Sequence, residues 1–151
     1  MSVADVKTFV IVGDRHAEPT PDALTEIGLL LAEQQPVRVR VRSSTKLVIT
    51  SEFEKAVTDL IHRMLNSGFS VSFDCVVPQA SGRRYNWLRD YALVDGADKV
   101  IAYFSQGGFM QGGTGHVVQA ALNCNVPVEA WMHDEGGNMI ALQDDGQDAW
   151  Q

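Results

Sequence analysis

Short apolar runs alternate with helical patterns along this chain, and that alternation constrains the fold more than any other feature. Each run has the length of one strand, while the stretches between runs place apolar residues every three to four positions. The predicted strands are TFVIVG (8–13), VRVRVR (37–42), KLVIT (46–50), FSVSFDCVV (69–77), KVIAYF (99–104) and VPVEAWM (126–132), with a candidate edge strand at 139–142. The predicted helices are 20–35, 51–68, 83–97 and 116–125. Strands that alternate with helices form a mainly parallel sheet covered on both faces, so we predict a three-layer, Rossmann-like α/β domain.

Capping signals mark the starts of two of these helices. Thr20 followed by Pro21 is typical of the first turn of a helix. Ser51 and Glu54, three positions apart, make a capping box, in which each side chain bonds the backbone N–H of the other residue. Gly68 is expected to end that helix.

The whole-chain composition limits the classes of partner. With 151 residues, 45% hydrophobic and 21% charged, the chain predicts one globular domain over 1–151, ending in a polar C-terminal tail at 133–151. A net charge of −7 argues against nucleic acid and anionic membrane as partners. No apolar run could span a membrane and the start lacks a signal peptide, so the expected location is the cytoplasm. Cys75 and Cys124 are too few for a disulfide framework and are expected as buried free thiols.

The stretch GGFMQGGTGHVVQAAL, residues 107–122, crowds glycines ahead of a predicted helix. Glycine costs backbone entropy on folding, so the cluster is either a plain turn or a place where a ligand approaches the backbone. A helix N-terminus offers unpaired N–H groups and partial positive charge, which a phosphate or carboxylate can reach past glycines. The stretch has neither the lysine of a Walker loop nor the dinucleotide fingerprint. The predicted anion site consists of Gly112, Gly113, Thr114, Gly115 and His116.

A second group of candidates follows the first predicted strand, since the carboxyl ends of parallel strands meet at one edge of a sheet. Gly13, Arg15 and His16 are predicted there as ligand-binding residues. Arg89 and Asp90, on the third predicted helix, are predicted to reach the same edge. A solvated helix end is the alternative explanation for that last pair.

Other polar residues carry weaker signals. Arg38, Arg40 and Arg42 alternate, which indicates the solvent-facing side of a strand or, as the alternative, a basic patch for a polyanion. His16 and His116 could meet at the sheet edge as ligands or as acid–base groups. Two histidines without a cysteine or carboxylate at helical spacing make a poor metal site, so neither a metal nor a cofactor is predicted.

The segments RDYALVDGADKVIAYF, GGTGHVVQAAL and VPVEAW resemble the closing half of the SLOG superfamily of Rossmann-like nucleotide-binding proteins. That superfamily includes the LOG-type phosphoribohydrolases and the DprA and YspA-like proteins, and nucleoside 2-deoxyribosyltransferases are similar in design. The resemblance rests on Arg89 nine residues before Asp98, on the Gly-Gly-Thr loop from Gly112 and on Pro127 in the last strand. It covers residues 83–131.

A looser likeness covers residues 8–16, where VIVGDRH is similar to the Gly-Ser-Arg opening of the YspA-like branch through Gly13 and Arg15. Together these motifs imply a nucleotide or nucleotide-derived ligand, with its phosphate on the glycine loop and Arg89 nearby. The resemblance also implies a homo-oligomer, because proteins of this design usually pair through helices beside the site.

The chain departs from the family enzymes in one chemically important way. Those enzymes carry a glutamate after the glycine loop, where this chain has HVVQ at 116–119 and no carboxylate. Splitting an N-glycosidic bond passes through an oxocarbenium-like state that a carboxylate stabilises. Asp14 is the candidate catalytic carboxylate, with Asp90 as the other choice. Alternatively, Asp14 only closes the turn by bonding backbone N–H groups.

Three functions follow from these patterns. A module that senses or sequesters a nucleotide is favoured over an enzyme of the phosphoribohydrolase or deoxyribosyltransferase kind, and both are favoured over an interaction protein with a vestigial site. The helix at 85–94 carries more apolar surface than its own sheet needs, which predicts a dimer or higher oligomer. The alternative is that its aromatic residues cover the ligand pocket.

Overall fold

A computed structural model of the chain describes residues 5–49, 51–105, 111–133 and 139–142, of which 133 and 139–142 are described by their backbone. The elements in chain order are β1 (Lys7–Gly13), α1 (Pro21–Glu33), β2 (Val37–Arg42), α2 (Glu52–Asn66), β3 (Val71–Val76), α3 (Arg83–Val94), β4 (Lys99–Phe104), α4 (Gly112–Asn123), β5 (Val128–His133) and β6 (Met139–Leu142). The sheet has the order β3-β2-β1-β4-β5-β6, with β1 to β5 parallel and β6 antiparallel to β5. The prediction of a mainly parallel α/β sheet is confirmed.

Two hydrophobic cores lie on opposite faces of this sheet, because successive residues of a strand point to opposite sides. On β1, Phe9 and Ile11 join the core formed with α1 and α2, while Val10 and Val12 join the core formed with α3 and α4. The strand is therefore buried on both faces, as its unbroken apolar run indicates. The helices on both faces complete the predicted three layers.

The cap at Thr20 and the Ser51 half of the capping box form as predicted, while the Glu54 carboxylate accepts the Ser51 hydroxyl and the Gly13 N–H. Thr20 Oγ1 accepts the Ala23 N–H at 3.2 Å, and Ser51 Oγ accepts the Glu54 N–H at 3.1 Å. Gly68 follows the end of α2 with φ of +93°, a conformation that glycine adopts without strain. These helix ends are set by side chains close to them in the sequence.

The strand predicted at 46–50 is wrong for the residues that the structure describes. Residues 45–46 lie in a turn, and Ile49 makes only an isolated antiparallel bridge with Ser43. Ser44 stabilises this turn, since its carbonyl accepts the Leu47 N–H at 3.0 Å and its hydroxyl accepts the Val48 N–H at 3.3 Å. A short apolar run without a neighbouring strand in register cannot extend the sheet.

The prediction that β2 has one solvent-facing side is also wrong, because α3 packs against that side. Arg38 alone of its three arginines is exposed and pairs with Asp74 at 3.4 Å. Arg40 is half-buried and its Nη1 donates to the carbonyl of Leu93 on α3 at 3.0 Å, while Arg42 is buried. A period-two pattern shows which residues share a face but not what covers that face.

The apolar spacing of α3 predicts that Trp87, Tyr91 and Leu93 or Val94 face the core, and the structure bears this out only in part. Leu93 and Val94 are buried, but Trp87 and Tyr91 are 46% and 39% exposed. The predicted dimer would pack this exposed aromatic surface against a second copy of the chain. The dimer stays a prediction.

The two cysteines are free, as predicted, but neither is fully buried. Cys75 is half-buried and Cys124 is exposed. Partial burial, followed by the nearby charge of Asp74, raises the pKa of the Cys75 thiol above its ordinary value. The expectation of buried thiols is therefore wrong.

Candidate ligand-binding site

A cleft of about 610 Å³ opens at the carboxyl edge of the sheet. It lies where β1 and β4 are neighbours, although the chain leaves β1 towards β2 and leaves β4 towards β5 on the other side. Where neighbouring parallel strands are followed by connections to opposite sides of the sheet, a crevice forms between them, and open α/β sheets bind ligands there. Its walls include 14–16 after β1, Arg42 at the end of β2, Arg89 on α3 and 112–114 at the start of α4.

Arg42 and Glu54 form a buried ion pair at the base of the cleft. Arg42 Nη2 lies 2.9 Å from Glu54 Oε2, and Nε donates to both carboxylate oxygens at 3.2 and 3.0 Å. Glu54 also accepts the Gly13 N–H at 3.1 Å and the Ser51 hydroxyl at 3.2 Å. Their side chains are 7% and 0% exposed. Buried charges are tolerated when they are paired and hydrogen-bonded, so each group holds the other in place.

Arg42 also connects this pair to the start of α4. Its Nη2 donates to Thr114 Oγ1 at 2.8 Å and to the Gly13 carbonyl at 3.2 Å. Its other terminal nitrogen, Nη1, makes no hydrogen bond with a described residue. A Cβ built on Gly113 would stand 3.1 Å from that nitrogen. A guanidinium that is more than nine-tenths buried therefore presents, beside the first turn of a helix, a donor that has no partner in the described part of the chain.

The first turn of α4 contributes further donors. The first helical bond runs from Gly115 N to Gln111 O at 3.1 Å, so the N–H groups of residues 112–114 precede it. Gln111, the N-cap residue, makes no side-chain capping bond. Gly112 has φ of +64°, in the left-handed region that favours glycine. Gly112 and Gly113 are both exposed and line the cleft, so this helix end opens into it.

Gly13 serves packing at the base of the cleft. A Cβ at this position would lie 2.5 Å from the ring of Phe53 in α2. A side chain there would push α2 away from the end of β1. Glycine thus allows α2 to approach closely enough for Glu54 to accept the Gly13 N–H.

Asp14 ties the loop after β1 to the end of β4. Its Oδ2 accepts the Ser105 N–H at 2.7 Å and the Ser105 hydroxyl at 2.8 Å, while Oδ1 accepts the His16 N–H at 2.8 Å. Both carboxylate oxygens therefore accept backbone N–H groups, which is the role of an aspartate that closes a turn. The same residue lines the cleft, so these bonds hold its carboxylate in place in the cleft wall.

A second ion pair flanks the cleft on α3. Arg89 donates from Nε and Nη2 to Asp90 Oδ1 at 3.2 and 2.9 Å, and from Nη1 to the Ser43 carbonyl at 3.1 Å. Asp90 Oδ2 lies 2.8 Å from His116 Nδ1, and the His116 ring stacks on Trp87 with centroids 5.2 Å apart. Arg89 and Asp90 are 8% and 2% exposed, so a solvated helix end does not describe them.

The structure separates the predicted site residues into two groups. Those that line the cleft are Asp14, Arg15, His16, Arg89, Gly112, Gly113 and Thr114. Those that lie outside its lining are Gly13, Asp90, Gly115 and His116. His16 and His116 are therefore not brought together, because His116 contacts Asp90 and Trp87 instead.

Sequence reasoning did not assign several residues of the cleft wall. They are Arg42, Ser51, Asn86, Ser105 and Gln111. The missed signal for Arg42 is its place as the last residue of a parallel strand, the position from which side chains reach the carboxyl edge. The others lie in a loop, at helix ends or within a helix, where the sequence pattern has no distinguishing feature.

Neither a metal-binding cluster nor a membrane-spanning helix occurs within the described ranges. No three histidine, cysteine, aspartate or glutamate side chains there gather closely enough to hold a metal ion. Likewise, none of the helices in that part of the chain is long and apolar enough to cross a bilayer.

Comparison with known proteins adds no family assignment. No protein-family model matches the chain, and no curated protein is significantly similar to it. The likeness to the SLOG superfamily therefore rests on the quoted motifs alone, and function has to be inferred from the cleft itself.

Proposed function

We propose that this protein binds a phosphate-bearing small molecule of the nucleotide class in the cleft at the carboxyl edge of the sheet. The phosphate would lie on the first turn of α4, between the backbone N–H groups of 112–114 and Arg42 Nη1. The observation that carries the proposal is the buried Arg42 guanidinium, whose Nη1 stands beside Gly113 and has no hydrogen-bond partner among the described residues. A desolvated donor without a partner is costly, and an anion would satisfy it.

The electrostatics of the helix support the same ligand group. The N-terminus of α4 carries partial positive charge, and its leading N–H groups are donors that await an acceptor. Gly113 leaves room for an oxygen to sit against both the backbone and the guanidinium. A charge-assisted bond from arginine together with backbone N–H groups is a common way to hold a phosphate.

The remainder of the cleft supports a ligand larger than inorganic phosphate. A volume of about 610 Å³ lies within the range of pockets that hold small organic molecules. Asn86 offers an amide that can both donate and accept, and Arg15 and His16 offer further polar groups at the exposed rim. The resemblance to the SLOG superfamily supports a nucleotide among such ligands.

Binding without turnover is favoured over cleavage of an N-glycosidic bond. Asp14 is the candidate carboxylate in the cleft wall, and both its oxygens already accept hydrogen bonds from Ser105 and His16. Asp90, the other candidate, lies outside the lining and is shared between Arg89 and His116. A carboxylate committed in this way is less able to attack or stabilise a sugar cation.

The first experiment measures ligand-induced thermal stabilisation with a panel of nucleoside 5′-monophosphates and with inorganic phosphate. A bound ligand raises stability by RT ln(1 + [L]/Kd), so binding appears as a rise in Tm. Gly113→Ala places a methyl group between the helix end and Arg42 Nη1, and it should abolish the rise. Gly28→Ala, within α1, is the matched control, because its new Cβ meets only Leu60 at an ordinary 3.9 Å.

Two results would contradict the proposal. One is the absence of a Tm shift with any phosphate-bearing ligand in the wild type. The other is a shift that Gly113→Ala leaves unchanged, which would place the ligand elsewhere.

A second experiment separates binding from catalysis. Release of free base from the same nucleotides is measured for the wild type and for Asp14→Asn, a change that removes the charge with little change in shape. The binding proposal expects no release from either protein. Release by the wild type that is lost in Asp14→Asn would instead favour the enzyme.

A further inference from the structure

A second cavity, of about 240 Å³, lies between α1 and the strands β4 and β5. It is formed on the face of the sheet that carries the core with α1 and α2, since Tyr103 of β4 belongs to that core. On the opposite face, Ala130 of β5 packs into the core formed with α4. The cavity is thus separate from the cleft that holds the proposed phosphate site.

The walls of this cavity are acidic. Glu26 and Glu33 stand seven residues apart on α1, which places both on one face of the helix about 10 Å apart along its axis. Both are exposed and neither makes an ion pair with a described residue. Glu129 of β5 completes the acidic rim, although Trp131 Nε1 donates to it at 3.1 Å and Lys99 Nζ lies 4.0 Å away. The uncompensated negative charge therefore comes from α1.

The floor of the cavity is aromatic and aliphatic. Tyr103 and Trp131 are register partners on β4 and β5, and their rings stack with centroids 6.3 Å apart at an interplanar angle of 12°. Ile27 and Leu30 of α1 add aliphatic surface. Aromatic faces carry negative electrostatic potential, which attracts cations with delocalised or weakly hydrated charge.

One buried polar group points to a ligand independently of the carboxylates. Tyr103 is 3% exposed and lines the cavity, yet its hydroxyl makes no hydrogen bond with a described residue. Burial, then the charges of Glu129 and Glu26, raises the pKa of the Tyr103 hydroxyl above its ordinary value. The hydroxyl therefore stays protonated and lies in the field of two carboxylates of the cavity wall. A buried polar group without a partner is unusual and is satisfied when a polar ligand enters.

We propose that this cavity binds an organic cation, a guanidinium or alkylammonium group on a short aliphatic chain. Glu26 and Glu33 would neutralise the charge, the Trp131 and Tyr103 rings would contact its delocalised or alkyl portion, and the Tyr103 hydroxyl would gain a partner. A hard metal ion fits less well, because it requires a close array of six or more oxygen ligands. No such array of acidic side chains occurs within the described ranges.

The experiment is isothermal titration of the whole protein with three probes: agmatine, a capped tripeptide with a central arginine, and MgCl₂. Agmatine represents a free small-molecule cation, and the tripeptide represents an arginine side chain of a partner protein. At least one of the two should bind, and the tighter binder identifies the source of the cation. The double variant Glu26→Gln/Glu33→Gln should weaken that binding about tenfold or more, as expected for the loss of charge-assisted bonds. Tyr103→Phe, which removes only the hydroxyl, should weaken it about threefold or more.

The matched control is Glu18→Gln/Asp59→Asn, which makes the same change in net charge at two exposed positions outside the cavity. Its effect should stay below about twofold, because distant surface charges are screened. Gly113→Ala should leave binding of agmatine intact, since it alters only the other cleft. Absence of binding by both organic probes, equal losses in the two double variants, or tighter binding of Mg²⁺ than of agmatine would overturn the proposal.

Discussion

The cleft is flanked by two buried arginine–carboxylate pairs that differ in how they are assembled. Arg42 and Glu54 come from β2 and α2, and together they bond Gly13 and Thr114, so four elements meet at one ion pair. Arg89 and Asp90 are adjacent residues of α3, and they bond Ser43 and His116. The first pair holds separate elements together, while the second arranges side chains on one helix.

The two pairs also differ in their access to water. Arg42 and Glu54 are 7% and 0% exposed, and Glu54 bonds Arg42, the Gly13 N–H and the Ser51 hydroxyl. Asp90 is 2% exposed but contacts His116, whose side chain is 25% exposed. The first pair therefore has little solvent to compensate for a lost partner, whereas the second reaches solvent through one histidine.

The largest expected effect is on stability when Glu54 is removed. Glu54→Ala leaves Arg42 charged and buried, and it should lower the free energy of unfolding by about 3–5 kcal/mol in a urea titration. Glu52→Ala is the control, because its pair with Lys55 is exposed and worth about 0–1 kcal/mol. Equal losses would show that the buried pair does not hold the elements together.

The next effect compares the two arginines as ligand contacts. Arg42→Lys keeps the charge but removes the planar fork, so it should weaken a phosphate-bearing ligand by about 1.5–3 kcal/mol, the value of a charge-assisted hydrogen bond. Arg89→Lys should cost less affinity, because Asp90 and Ser43 already occupy all three guanidinium nitrogens of Arg89. Titration calorimetry with a nucleoside monophosphate that stabilises the wild type measures both.

The opposite ranking, with Arg89→Lys costing more affinity than Arg42→Lys, would move the anion from the start of α4 towards α3. Circular dichroism of both variants is the control, since each arginine also stabilises the fold.

A smaller loss of stability is expected when His116, the partly exposed partner of Asp90, is changed. His116→Gln removes the contact with Asp90 and the stacking on Trp87, and it should lower the free energy of unfolding by about 1 kcal/mol. His62→Gln is the control, because His62 meets Phe73 edge-on at 4.9 Å on the exposed side of α2. A loss as large as that of Glu54→Ala would mean that both pairs are equally closed to water.

The smallest effect is expected at the other end of β2. Arg38 pairs with Asp74, and both side chains are more than half exposed, at 52% and 55%. Arg38→Ala should therefore change the free energy of unfolding by less than about 1 kcal/mol, and high salt should reduce that change. A loss above about 2 kcal/mol would show that burial is not what distinguishes the arginines of this strand.

The cleft itself could be predicted only in part. Residues 14–16 after β1 and the start of α4 were expected at one edge and both line the cleft there, because the carboxyl ends of parallel strands share an edge. Asp90 and His116 were expected in that cleft, but they lie outside its lining. Their helices have several rotations that satisfy the same apolar pattern, and packing between α3 and α4 selects one.

The alternation of strands and helices, apart from the strand expected at 46–50, and the caps at Thr20 and Ser51 were determined by the sequence alone. Each depends on residues within a few positions of one another, so the local chemistry is complete in a short window. The start of α4 was not determined in this way, because the helix was predicted from His116 and begins at Gly112. The tertiary structure decided that Arg42 is buried and that it forms an ion pair with Glu54. A strand pattern records that three arginines share a face, but only the packing of α3 and α4 on that face determines which of them loses contact with water. A buried guanidinium needs a carboxylate partner. Glu54 lies within reach of Arg42 because the first turn of α2 packs against the end of β1.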